Sequence, residues 1–292
     1  MKRVVLFLSL VASLSSCKDG KENVEETFTT GTTKIMIEES VLPLAEDIIQ
    51  VFESYYDNAS FEVVVDHEAG VMNGIFLDSV RLAIIPRDLT DKEIESLSKR
   101  VQSKVTPIAK EAIVFISNNN YNDSLIQYDQ FIQDIQSTSN EKIYVLDNVN
   151  SSLVRKIKED SGVKETKKNV FFLPSTKEVI EYIARNPKAV GIIGSNWIAQ
   201  PDKTVEEFKK SIKTLAVLNA SINKYIKPTQ STIADETYPL TRTINIIDVK
   251  GNSGLGKGLA SFASGDKGQR LVLKSGLLPV TMPTREVIIN QQ

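Results

Sequence analysis

The sequence has almost no cysteine or histidine: one residue of each occurs among its 292 residues. A disulfide needs two cysteines, and zinc sites take most of their ligands from these two residue types. A disulfide framework and a His/Cys metal site are therefore excluded. The single histidine, His67, has no second histidine or reactive cysteine to act with, and no Ser-His-Asp set follows from the spacing. We expect no catalytic residues, no metal site, no cofactor and no enzyme activity.

An excess of charge of either sign is also lacking. Lys and Arg number 35 and Asp and Glu number 37, which gives a formal net charge of −2. Surfaces that bind nucleic acid are strongly basic, so we expect no nucleic-acid partner. The shares of apolar residues, 41%, and of charged residues, 25%, are those of an ordinary globular protein. The length allows one large domain or two lobes of usual size.

The apolar run near the N-terminus, residues 4–14, is too short to span a bilayer. It follows Lys2 and Arg3 and leads into Leu-Ser-Ser-Cys, which ends at Cys17. The pattern resembles the bacterial lipobox, where the chain is cut before a cysteine that is then acylated. It predicts a signal peptide over 1–17, a lipid on Cys17 and a flexible tether over 18–33. The expected location is the cell envelope, periplasmic or at the outer membrane; the alternatives are a plain signal peptide and a buried apolar N-terminus.

From residue 34 onward, short apolar strands alternate with helices of about 10–15 residues, which predicts α/β architecture with mostly parallel sheets. Two stretches, VTPIAKEAIVFI (105–116) and YPLTRTINIIDV (238–249), each combine a proline, a polar patch and an apolar strand. Each lies where one block of strands and helices ends and another begins. We therefore predict two lobes joined by two crossings. Lobe 1 comprises residues 34–108 and, with the C-terminal helices, 238–292, and lobe 2 comprises residues 109–237.

Small polar residues open several of the predicted helices. Ser40 precedes a helix predicted over 41–56, and Ser151 and Ser152 open one that runs to about residue 160. Unpaired backbone N–H groups and the helix dipole make such N-termini suited to anions. For each of them alone, ordinary capping of the helix is the simpler interpretation.

Arg87 follows an apolar strand predicted over 81–85, so its side chain starts at the carboxyl edge of a sheet. Ligands of α/β proteins usually bind at that edge. A guanidinium is always charged and can bind an oxyanion through two hydrogen bonds. The alternative is a salt bridge from Arg87 to Asp88, Glu39 or Glu68.

A glycine-rich stretch, GNSGLGKG (251–258), nearly fits the phosphate-binding pattern G-x-x-x-x-G-K-[ST]. Position 258 is glycine, so the hydroxyl that would hold magnesium is missing. We therefore interpret the stretch as a glycine-rich turn into a helix.

Several motifs together cover about residues 34–280 in a characteristic order. They are SVLPLA (40–45), IIPRDLT (84–90), PIAKEAIV (107–114), YPLTR (238–242), and GQR (268–270) with GLLP (276–279). In these motifs the chain resembles the phosphate-type solute-binding proteins of bacterial ABC transporters, which have the type II periplasmic-binding fold. The resemblance implies a membrane-anchored protein that closes two lobes over phosphate or a related oxyanion, with a transporter as partner. It implies that Ser40, Arg87, Ser151 and Ser152 contact the anion.

The chain departs from the family pattern in the ligand loops. Glu38 and Glu39 stand where the family has small residues, and Asp66, His67 and Glu68 replace a Gly/Ser-rich loop. Carboxylates beside phosphate lower its affinity through like-charge repulsion. The alternative function is a binding-protein fold repurposed as a non-transport subunit of a cell-envelope complex. Acidic side chains that point into the cleft would favour this alternative.

Overall fold

The computed structural model describes residues 26–99, 103–137, 142–163, 168–199 and 203–284. The strands are β1 (Gly31–Glu38), β2 (Ala59–Asp66), β3 (Leu82–Ile85), β4 (Lys104–Asn118), β5 (Leu125–Ile126), β6 (Ile143–Leu146), β7 (Val170–Phe172), β8 (Ala189–Gly194), β9 (Ile212–Thr214), β10 (Ala216–Asn219), β11 (Lys224–Ile226), β12 (Thr241–Asp248) and β13 (Leu278–Pro279). The helices are α1 (Leu42–Tyr55), α2 (Glu68–Phe76), α3 (Asp91–Ser98), α4 (Tyr128–Gln136), α5 (Ser152–Ser161), α6 (Thr176–Arg185), α7 (Asn196–Ala199), α8 (Lys203–Lys209), α9 (Gln230–Ala234), α10 (Gly254–Ser264) and α11 (Asp266–Lys274).

The main sheet has the strand order β2-β1-β3-β12-β4-β8-β6-β7, and β9 and β13 also pair with β4. β1 is parallel to β2 and β3, and β6 is parallel to β7 and β8. The two central strands, β4 and β12, are antiparallel to each other. Helices connect the parallel strands on each side, as parallel pairing requires, so the predicted α/β architecture is confirmed. The sheet is mixed and not mostly parallel as predicted, because β12 is antiparallel to β3 and β4, and β4 is antiparallel to β8.

Buried apolar side chains form separate cores on the two sides of the central strands. One cluster draws on residues 112–240, and two others draw on residues 35–109 and 244–277. Strand β3 is buried along its whole length, as expected for a strand covered on both faces. The lobe boundaries after residues 108 and 237 stay a prediction. Strand β4 continues across the first of these boundaries without a break, so the strand itself marks no boundary there.

Strand β4 is one continuous strand of 15 residues, and Pro107 lies within it. Proline lacks the N–H that a ladder needs, and a bulge accommodates it. The pairing with β12 shifts between Ile244 and Asn245, so Ile108 has no residue opposite it. The Ile108 carbonyl accepts a hydrogen bond from Gln269 Nε2 at 2.9 Å instead.

The start of the fold also differs from the prediction. β1 begins at Gly31, so residues 31–33, predicted as the end of the tether, belong to the sheet. A 3-10 turn, Glu39–Val41, precedes α1, and no side chain caps that helix. The predicted capping by Ser40 is therefore wrong, because its hydroxyl is bonded to Arg242 instead. No helix in the described part of the chain is long and apolar enough to cross a bilayer.

The glycine-rich stretch leads into α10, as the sequence indicated. The backbone N–H of Leu255 donates to Glu26 Oε1 at 3.0 Å, so a carboxylate of the chain itself occupies this helix N-terminus. Gly258 lies directly against the Phe28 backbone: a Cβ atom at Gly258 would lie 1.8 Å from the Phe28 carbonyl oxygen. This contact explains the glycine at position 258.

Gly258→Ser would complete the nucleotide-loop pattern, yet we expect it to lower the free energy of unfolding. The added Cβ meets backbone, which cannot rotate away, and overpacking of this kind costs about 1–3 kcal/mol. Urea denaturation measures the loss, with Lys257→Ser, on the half-buried neighbour, as the control. Unchanged stability of Gly258→Ser would contradict this account of the turn.

Candidate functional site

The two central strands carry a buried ion pair. Arg242 on β12 lies opposite Glu111 on β4, and Arg242 Nη2 is 2.8 Å from Glu111 Oε1. Glu111 is 0% and Arg242 8% exposed. A buried pair is tolerated when its remaining donors and acceptors are satisfied. Arg242 also donates to Ser152 Oγ at 2.9 Å and to Ser40 Oγ at 3.1 Å. Glu111 accepts from the backbone and side-chain nitrogens of Asn196 at 3.2 and 2.9 Å.

Glu38, the last residue of β1, occupies the N-terminus of α5. Its carboxylate accepts hydrogen bonds from the backbone N–H of Ser152 at 2.9 Å and from Ser152 Oγ at 2.8 and 2.9 Å. Ser151 caps the same helix by accepting from the Val154 N–H at 3.2 Å. Burial raises the pKa of Glu38, while the nearby Arg242 and the Ser152 donors favour its ionised form. The Glu38 carboxylate therefore occupies the position at the N-terminus of α5 where an external anion would bind.

Glu39 makes the same contact with the next helix. Its carboxylate accepts from the backbone N–H of Thr176 at 3.0 and 3.1 Å and from Thr176 Oγ1 at 2.7 Å, at the start of α6. Burial raises the pKa of Glu39, and the neighbouring Glu38 raises it further. The carboxylates of Glu38 and Glu39, which are adjacent in the sequence, thus bind the N-termini of α5 and α6 in lobe 2.

Arg87 is held by carboxylates of lobe 1. Its Nε is 2.6 Å from Glu68 Oε1, and its two terminal nitrogens are each 2.7 Å from the Glu93 carboxylate. Glu68 Oε2 accepts from Arg155 Nε of lobe 2 at 3.0 Å. Of the partners predicted for a salt bridge, Glu68 is one, whereas Asp88 accepts only through its carbonyl, at 2.9 Å. The Arg87 guanidinium thus donates four hydrogen bonds, three of them to carboxylates of lobe 1.

Trp197 of α7 also takes part in the contact between the lobes. It belongs to the apolar core of lobe 2. Its indole N–H donates to the Ser40 carbonyl at 3.0 Å, and Asn196 Nδ2 donates to the same oxygen at 2.8 Å. The segment 38–40 is therefore bonded to lobe 2 at each of its three residues.

A cavity of about 320 Å³ lies between the lobes beside this network. The sequence-predicted residues Arg87 and Ser152 line it, whereas Ser40 and Ser151 are not among its described lining residues. Its acidic lining residues are Asp88 and Glu159. Its basic lining residues are Arg87, Lys110, Arg155, Lys156 and Arg242. This excess of basic side chains favours an anionic occupant. Cys17, the predicted lipid site, lies outside the described residues.

Sequence reasoning missed three buried charged residues of the cleft: Arg242, Glu111 and Asp147. Arg242 belongs to the motif YPLTR and Glu111 to the motif PIAKEAIV, at the two predicted crossings. Because the strands of the two crossings pair with each other, the two motifs are adjacent, and their opposite charges could have indicated the ion pair. Asp147 follows β6, is 2% exposed and accepts from Ser151 Oγ at 2.5 Å. Burial, together with the negative charges of Glu38 and Glu39, raises the pKa of Asp147 to about 8.

Comparisons with known proteins agree with this architecture. A family model described as a PBP superfamily domain matches residues 23–267. The phosphate-binding protein PstS of Borreliella burgdorferi is 25% identical over 301 residues, 96% of this chain and 99% of that protein.

Two solved structures share the fold. One, from Clostridium perfringens, is described as a phosphate ABC transporter substrate-binding protein with bound phosphate. It has a TM-score of 0.71 and 17% identity, and the match covers 86% of this chain and 100% of that chain. The other, an ABC-type phosphate transport receptor from Vibrio cholerae, has a TM-score of 0.64 and 17% identity, with coverage of 86% and 100%. The predicted two-lobed periplasmic-binding fold is confirmed.

We expect Asp147→Asn to flatten the pH dependence of stability. Because the folded pKa is about 8 and the unfolded one about 3.9, the folded protein binds more protons between these values. Ionised Asp147 is unfavourable, so the wild-type free energy of unfolding falls as pH rises from about 4 to 8, by at most about 1.4 kcal/mol per pH unit. Asparagine keeps an acceptor for Ser151 but does not titrate.

Urea denaturation of both proteins from pH 5 to pH 8 measures the difference in slope. Glu38 and Glu39 change stability in the same direction in both proteins, so the difference in slope reports Asp147 together with its coupling to these two carboxylates. Asp57→Asn, at an exposed position, is the matched control. Equal slopes for Asp147→Asn and the wild type would contradict the raised pKa.

Proposed function

The chain belongs to the PBP superfamily, and from this premise we propose that it is a solute-binding protein of the cell envelope, which holds phosphate or a related oxyanion between its lobes for uptake. The observation that carries the proposal is that two hydrogen-bond donors and a cation converge at the start of α5. The Ser152 N–H, the Ser152 hydroxyl and the Arg242 guanidinium meet at one point, where they already stabilise a negative charge. The Borreliella burgdorferi relative, named as phosphate-binding, supports this class of ligand.

The proposal gives different roles to the predicted residues. Ser152 is the principal donor, since both its N–H and its hydroxyl face the carboxylate position. Arg87 lines the cavity and reaches a solute only by leaving Glu68 or Glu93. Ser40 and Ser151 act as positioning residues, the first by bonding Arg242 and the second by capping α5.

The energetics are adequate for capture. A micromolar dissociation constant corresponds to about 8 kcal/mol. Hydrogen bonds to charged groups contribute about 1.5–3 kcal/mol each, so a few of them in a closed cleft suffice. In this proposal hinge bending at the two crossings closes the lobes, a lipid on Cys17 anchors the chain, and a transporter receives the solute.

A second function has an observation in its favour. The donors at the starts of α5 and α6 and the Arg87 guanidinium all have carboxylate partners within the chain. A protein whose anion donors are satisfied internally is suited to act as a non-transport subunit of a cell-envelope complex. Phosphate binding distinguishes the two functions.

We expect phosphate to raise the melting temperature of the full chain. Ligand at 100 times its dissociation constant adds about 2.7 kcal/mol to the free energy of unfolding. For a protein of this size that is a rise of roughly 5 °C. Ser152→Ala removes one hydroxyl donor, so the phosphate affinity should fall by roughly 10-fold or more. Thermal denaturation with increasing phosphate measures both effects.

Two controls accompany this titration. Chloride at equal ionic strength separates binding from screening, and Ser96→Ala, at an exposed position of α3, is the matched variant. Absence of any shift at millimolar phosphate would overturn phosphate capture and leave the non-transport function as the better account.

The lipid anchor makes its own prediction. Cys17→Ser removes the thiol that is acylated, so the protein should move from the membrane fraction to the soluble fraction or remain unprocessed. Fractionation and mass spectrometry of the mature N-terminus measure this. A wild-type mature chain that carries no lipid would contradict the anchor.

A further inference from the structure

Three consecutive residues of lobe 1 contact the starts of three different helices of lobe 2. Glu38 bonds to Ser152 at the start of α5, and Glu39 bonds to Thr176 at the start of α6. The Ser40 carbonyl accepts from the Asn196 and Trp197 side chains at the start of α7. Residues 38–40 therefore form a segment, here called the acidic bridge, that joins the two lobes.

We infer that Glu38 of the acidic bridge is an internal anion, which holds the lobes closed and which an oxyanion must displace in order to bind. The inference rests on the proposed function, since it concerns the same donors. Glu38 receives one N–H and one O–H from Ser152, the set of donors that an oxyanion would receive there. Glu39 receives the equivalent pair from Thr176.

The charges around Glu38 make simultaneous binding unfavourable. Arg242 is a cation that favours the ionised form of Glu38, and it is already paired with Glu111. Glu38 adds a second carboxylate, and Glu68 lies near enough to interact with it. A dianion placed beside these groups would meet repulsion in a buried site with little screening. A solute therefore binds only in the fraction of molecules in which Glu38 has left Ser152.

Internal competition lowers the apparent affinity by a calculable factor. The apparent dissociation constant equals the intrinsic one divided by the fraction of competent molecules. If Glu38 occupies its position in nine molecules of ten, its removal strengthens binding about 10-fold. Removal of Glu38 and Glu39 also takes away all the hydrogen bonds by which these two carboxylates join lobe 1 to Ser152 and Thr176 of lobe 2. The ligand-free protein should then open.

Isothermal titration calorimetry with inorganic phosphate tests the competition in the full chain. We expect Glu38→Ala to bind phosphate at least ~10-fold more tightly than the wild type, which corresponds to about 1.4 kcal/mol. Glu38→Gln keeps the size of the side chain and removes its charge, so an intermediate gain is expected. It also serves if Glu38→Ala fails to fold. Glu62→Ala, at an exposed position of β2, is the control and should match the wild type.

The outcomes separate this inference from the proposed function. Weak binding by the wild type and tighter binding by Glu38→Ala support both. Binding by the variants alone supports the internal anion and overturns phosphate capture by the wild type. Equal or weaker binding by both Glu38 variants overturns the internal anion, while wild-type binding keeps the proposed function. Absence of binding in every protein also overturns the inference.

Small-angle X-ray scattering tests the closed state independently. Without phosphate, the double variant Glu38→Ala/Glu39→Ala should have a larger radius of gyration than the wild type. Added phosphate should reduce the radius of the variant and leave the wild type unchanged. Equal radii for the two ligand-free proteins would overturn the role of the acidic bridge in closure.

Discussion

The pair of Arg242 and Glu111 is the interaction on which the relation between the lobes depends. The two residues face each other on the central strands, at the place where the chain passes between the lobes. Removal of either one leaves a buried charge without its partner, which typically costs about 3–5 kcal/mol. The other donors of Arg242 reach Ser40 and Ser152, one residue from each lobe. One guanidinium is therefore bonded to a residue of each lobe beside the cleft.

The acidic bridge determines what an arriving anion has to displace at the site. An empty binding cleft usually holds water, and an arriving anion displaces it. In this chain the anion has to displace carboxylates that are covalently attached nearby and so have a high effective concentration. Selectivity then depends on which solutes bind Ser152 and Arg242 better than a carboxylate does. Oxyanions of higher charge gain from the donors but lose more by repulsion from the remaining acids.

The sequence predicted the architecture well because strand and helix patterns are local. The α/β order and the helix that Ser151 opens follow from neighbouring residues, and the structure contains both. The site was less accessible, because its contacts join residues far apart in the chain, such as Glu38 with Ser152. The departures at Glu38 and Glu39 identified the right positions. Their pairing with two helix N-termini depends on how the lobes meet, which no local pattern contains.

The passage of β4 through both lobes determines the order in which the chain can fold. The strands of lobe 2 in the main sheet lie within a single stretch, from the second half of β4 to β9. Strand β3 of lobe 1 pairs with β12, which follows all of lobe 2 in the chain. The central ladder of lobe 1 therefore cannot form until the whole of lobe 2 has been synthesised. Contacts of such high sequence separation form slowly, so lobe 1 is the part that depends most on protection from aggregation while the chain folds.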